Sequence, residues 1–84
     1  MTTIEKYNQA FVETLELTED KLPTLKYHDV EAWDSVGHMT LMAALEDAFD
    51  IMMETDDIVD FSSYEKGKEI LKKINHMLLQ VYLF

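Results

Sequence analysis

The sequence predicts an all-α domain of three main helices and one short helix, with a long loop between the first and the second. Three observations carry that expectation. Apolar residues recur at spacings of three and four in three separate stretches, residues 17–33 lose that spacing, and capping residues stand at the helix starts. β-Strands are not indicated, because the only apolar/polar alternation is short and carries no Asn-Gly type of turn. At 84 residues the chain is expected to form one domain, 1–84, able to bury a modest core without metal or disulfide.

Each element has its own signature. Residues 2–16 place Ile4, Tyr7, Phe11 and Leu15 on one face behind a Thr2-x-x-Glu5 capping box, which predicts the first amphipathic helix. From Leu17 to Trp33, Pro23 and scattered Thr, Asp and Lys predict an irregular connection pinned by Leu22, Leu25, Tyr27, Val30 and Trp33. A structureless connection of that length usually serves a function. Asp34 to about Phe49 reads as the second helix, with Leu41, Met42, Leu45 and Phe49 on its core face. Asp56 to Phe61 suits one or two helical turns with acidic residues at the positive end and Ile58 and Phe61 turned inward. This is expected to be the least stable element. Ser62-x-x-Glu65 reads as a second capping box, and Ile70, Ile74, Met77 or Leu78, and Val81 continue at helical spacing into the last helix, where Gly67 permits a close helix contact. The apolar extension 77–84 is expected to continue that helix over the bundle surface, with self-association as the other option for an exposed patch.

Composition narrows the functional classes. Seventeen acidic against seven basic residues give a net charge of −10, which disfavours nucleic acid and anionic lipid and favours basic protein surfaces. Such a field also strains the fold by self-repulsion. Added salt or divalent cations are therefore expected to raise the melting temperature, and a melt indifferent to ionic strength would refute this. With no cysteine there is no disulfide framework, thiolate metal site or cysteine nucleophile, in keeping with a reducing cytoplasm. The amino terminus lacks the basic-then-apolar pattern of a secretion signal, and no apolar stretch approaches the roughly 20 residues needed to span a bilayer.

Trp33-Asp-Ser-Val-Gly-His-Met39, running straight into the second helix, is the segment that points at chemistry. Asp34 is placed to cap the helix. Ser35 would then present its hydroxyl beside backbone N–H groups and a helix dipole able to hold an attached phosphate. Residues 36, 39, 43, 47 and 50 share a second face, apolar at Val36, Met39 and Ala43 and acidic at Asp47 and Asp50. A solvated helix flank would look similar, but its position beside Ser35 favours docking.

Other constellations fit less well. An EF-hand loop begun at Asp47 would put Phe49 and Ile51 at ligand positions and Met52 where glycine is required. His28, His38 and His76 are too scattered for a helical pair of zinc ligands and read as surface or edge residues, so no metal is expected. A serine hydrolase needs a base, an acid and an oxyanion hole on a strained strand-to-helix turn, and no such strand is indicated. The six methionines read as core filling, and Trp33 as a plug between loop and bundle.

Taken together, the first helix, the long loop, Asp34-Ser35-Val36 leading into Leu41-Met-Ala-Ala-Leu-Glu-Asp-Ala-Phe-Asp-Ile51, the short acidic helix, Ser62-Ser-Tyr64 and the closing helix resemble the acyl carrier proteins over about residues 3–75. The resemblance implies a four-helix bundle of acyl-carrier type and no catalysis by the chain itself. By position, Ser35 would receive the 4′-phosphopantetheine arm from coenzyme A, whose thiol carries acyl groups as thioesters, and Asp34 would be the preceding aspartate. It further implies docking through the second helix, with Val36, Met39 and Ala43 giving apolar contacts and Glu46, Asp47 and Asp50 meeting basic residues. The implied partners are a phosphopantetheinyl transferase and acyl- or aminoacyl-loading and transferring enzymes, served by a cytoplasmic monomer. Met42, Leu45, Phe49 and Ile58 are the interior positions that could admit a short acyl chain.

The chain departs from the usual Gly-x-Asp-Ser-Leu of fatty-acid carriers, with Ala32-Trp33 before Asp34 and Gly37, His38 and Thr40 after Ser35. That favours a dedicated biosynthetic pathway over general fatty-acid synthesis. D-Alanyl carrier proteins also have glycine two residues after the serine, so an aminoacyl carrier is an alternative. An unmodified acidic adaptor that docks basic proteins is the rival from another class.

Overall fold

The computed structural model describes residues 2–74, which hold four α-helices and one 3₁₀ turn. The predicted continuation through Met77, Leu78 and Val81, the extension 77–84 and His76 lie outside the described residues. Among the described residues no helix is long and apolar enough to cross a membrane.

Helix α1 spans Thr3–Leu15 and starts where the capping box predicts. The Thr2 hydroxyl accepts from the Glu5 N–H at 3.2 Å, and the Glu5 carboxylate accepts from the Thr2 N–H at 2.8 Å. Tyr7, Ala10, Phe11 and Leu15 form its buried face, with Ile4 only partly covered. Helix α2 is Ser35–Phe49 and buries Leu41, Met42 and Leu45, while Phe49 is half-buried at its end. Helix α3 is Thr55–Asp60 and helix α4 is Tyr64–Ile74. Both α1 and α2 end on an acidic residue in the left-handed region, Glu16 at φ 56° and Asp50 at φ 54°. The cap N–H of each returns to a carbonyl of the last turn, Glu16 to Val12 and Asp50 to Glu46.

The core is built around aromatic rings. Phe11 meets Tyr7, Trp33 and Tyr64 edge-on, with centroids 5.0 to 5.5 Å apart, and lies near-parallel to Phe61 at 6.1 Å. These geometries suit the ring quadrupole, and the rings carry a large share of the buried area. The Tyr7 hydroxyl donates to the Tyr64 carbonyl at 2.6 Å, and the Tyr64 hydroxyl donates to the Asn8 side-chain carbonyl. Burial pushes the Tyr7 phenol well above its ordinary range and that of Tyr64 upward, so both remain donors. Gly67 sits where a Cβ would come within 2.2 Å of both the Phe61 ring and the Tyr7 hydroxyl. The close contact predicted for α4 is therefore a contact with the aromatic core.

Three features depart from the sequence expectation. The connection 17–33 contains a 3₁₀ turn at Glu19–Lys21 and, besides burying Leu22, Leu25 and Trp33, forms an isolated antiparallel bridge between Lys26 and Ser63. There Tyr27 N–H donates to the Ser62 carbonyl and Tyr64 N–H to the Leu25 carbonyl, each at 2.9 Å. That bridge occupies the backbone of Ser62 and Tyr64, and the cap of α4 falls one residue later than predicted. The Ser63 hydroxyl accepts from the Lys66 N–H at 3.0 Å, so Ser62-x-x-Glu65 is not a capping box. Finally, Asp57 does not merely face the dipole of α3: it is buried and bonded to Lys73 of α4 at 2.7 Å. Asp57 holds the Lys73 ammonium above its usual range by that hydrogen bond and by charge.

Candidate functional site

Asp34 is extended, at φ −106° and ψ −166°, and its carboxylate accepts from the Gly37 N–H at 2.8 Å while its carbonyl accepts from the His38 N–H at 2.7 Å. Two first-turn donors are thereby used. Those of Ser35 and Val36 precede them at the end of the helix where donors face outward. Ser35 is the first residue of α2 and is exposed. Its presentation depends on Gly37, because a Cβ there would stand 1.9 Å from the Ala32 carbonyl oxygen. The end of the long connection is thus pressed against the first turn of α2, and the serine emerges at that contact.

Beside Ser35 lies a cleft of about 350 Å³ between the start of α2 and α3. Met39, Ile58, Val59 and Phe61 make its walls predominantly apolar, with Tyr27 from the connection on one side. Of the interior positions that could admit a chain, only Ile58 lines it. Met42 and Leu45 are sealed in the core, at 1 % and 0 % exposure. Half-buried His38 also lines the cleft, and neither of its nitrogens is free. Trp33 Nε1–H donates to Nδ1 at 2.9 Å, and Nε2 lies 2.8 Å from the Ile58 carbonyl oxygen. An indole N–H can only donate, so Nδ1 is the acceptor and the proton sits on Nε2. His38 is therefore not the surface or edge residue its sequence position suggests. With both nitrogens engaged, the ring is not placed to take a proton from Ser35.

The predicted docking residues lie along α2 with differing involvement in the fold. Val36 is 73 % and Met39 55 % exposed, and Ala43, Asp47 and Asp50 are exposed as well. Glu46 is half-buried, and one of its carboxylate oxygens accepts from the Met53 N–H at 2.9 Å, so it also holds the segment leading to α3. Asp47 lines a groove between α1 and α2 with Lys6, and Asp50 closes α2. Val59 on α3, 73 % exposed, extends the apolar surface around the serine and was not read from the sequence. His38, three residues after Ser35 and five after Trp33, was the signal available for the cleft. Among the described residues no group of three or more His, Cys, Asp or Glu is arranged to hold a metal ion. In comparisons with protein-family models, curated proteins and solved structures, the chain matches none.

Proposed function

We propose that this chain is an acyl carrier protein, in which Ser35 holds a 4′-phosphopantetheine arm and α2 is the face that partner enzymes recognise. The observation that carries the reading is an exposed serine hydroxyl at the first residue of a 15-residue helix, lining an apolar cleft. The residues suit the group: a phosphodiester at Ser35 would meet the positive end of α2, with Asp34 fixing the turn that presents it. The arm supplies a thiol on which acyl or aminoacyl groups are carried as thioesters. The helix order, with a long tethered connection before α2 and a short helix before α4, supports a four-helix bundle of acyl-carrier type. Val36 and Met39 would give apolar contact, with Ala43 beside them. Asp47 and Asp50 would steer basic partners, aided by Glu46, in contacts that weaken with salt. A tethered cargo reaches each partner at high effective concentration, which is what a cytoplasmic monomeric shuttle for a dedicated pathway requires.

The engagement of both His38 nitrogens weighs against a hydrolase that would use Ser35 as nucleophile. Incubation with coenzyme A and a phosphopantetheinyl transferase is expected to add one phosphopantetheinyl group by intact mass, and Ser35→Ala to abolish the gain. An unchanged mass with a competent transferase would refute the carrier reading and leave an acidic adaptor.

A further inference from the structure

Helix α3 has six residues, well below the roughly 12–15 at which an isolated helix is even marginal in water, so its position depends on what it is tied to. Ile58 and Phe61 anchor it to the core, and Asp57 ties it to Lys73 of α4. Its polar tie to α2 is the His38 imidazole, whose Nε2–H reaches the Ile58 carbonyl while Nδ1 holds the Trp33 indole. The ring has little freedom to turn. It lies near-parallel to Trp33, at 19°, and edge-on to Tyr27 and Phe61, with centroids 5.2 to 6.1 Å away. His38 and Ile58 both line the cleft beside Ser35, so the imidazole spans from the serine-bearing turn to the opposite wall.

We infer that His38 is a positioning residue that sets the width of this cleft. The ring is a strut between Trp33 and α3, and a group too long for the cleft must draw the Ile58 carbonyl away from Nε2 to be accommodated. What enters the cleft rests on the carrier reading; the strut itself does not.

The test uses amide hydrogen exchange by NMR on the unarmed protein, with the single tryptophan as an internal reporter. His38→Gln can place an amide N–H near Nε2 and keep the Ile58 bond. His38→Asn can accept from Trp33 but is too short to reach Ile58, and His38→Leu loses both bonds. Relative to α1, the α3 amides are expected to exchange about three- to tenfold faster in the asparagine and leucine variants, with the glutamine variant near wild type. The Trp33 indole proton is expected to lose protection in the glutamine and leucine variants and to keep it in the asparagine variant. Unchanged α3 protection in all three, or a loss that tracks α1 in all three, overturns the strut.

In a second arm, straight acyl groups of rising length are loaded through Ser35. Protection of α3 is expected to fall at a shorter length in the asparagine variant than in wild type. The same threshold in both overturns the assignment of cleft width to His38. Failure of Ser35 to take the arm sinks the carrier reading, while the first arm still decides the strut.

Discussion

Gly37→Ala is expected to cost about 3 kcal/mol of folding stability, despite the better helix propensity of alanine, which would favour it by about 1 kcal/mol in an open position. The new methyl would stand 1.9 Å from the Ala32 carbonyl oxygen and 3.0 Å from its carbon, and both belong to backbone. No rotamer relieves that clash. The segment carrying Ala32 and Trp33 must lift from the first turn of α2, which displaces the Asp34 cap and the indole beneath it. The measurable result is a lower urea midpoint with slower coenzyme A-dependent modification of Ser35. An alanine variant as stable as wild type would show that this contact does not constrain the turn.

Trp33→Ala is expected to remove about 3–5 kcal/mol, the usual cost of truncating a fully buried large aromatic side chain, out of a total that for a domain this size is only about 4–13 kcal/mol. Trp33 has no exposed surface, packs edge-on against Phe11 and Tyr27, and donates its indole N–H to His38. Its loss opens a cavity and takes the donor from His38 Nδ1. Trp33→Phe should cost less, because it keeps most of the packing and forfeits chiefly the hydrogen bond and part of the volume. Denaturant unfolding followed by circular dichroism reads both variants. A loss below about 1 kcal/mol for the alanine variant would contradict the central place given to this ring.

What could be read from the sequence was local. The Thr2–Glu5 box, the Asp34 cap, the buried faces of α1 and α2 and the exposure of Ser35 follow from spacing within a turn or two, where periodicity and cap chemistry dominate. What could not be read depends on partners far along the chain. Ser62 and Ser63 are equivalent as caps until the bridge to Leu25 and Tyr27 claims the backbone on either side of Ser63. Asp57 looks like one more acidic residue at a helix start until Lys73, sixteen residues on, comes within 2.7 Å. His38 draws its donor from Trp33 and its acceptor from Ile58, and no pattern within α2 announces the second. Gly37 was visible as an unusual residue after the serine, but its reason is the approach of a carbonyl from the preceding connection.

The left-handed ends of α1 and α2 are both closed by acidic residues. Glu16 and Asp50 occupy a conformation that glycine adopts with far less strain, and they put negative charge where helix carbonyls already concentrate it. Neither choice helps the chain to fold. At these two positions the anionic side chain opposes the helix end that it closes, a burden on the native state that a neutral residue would not carry.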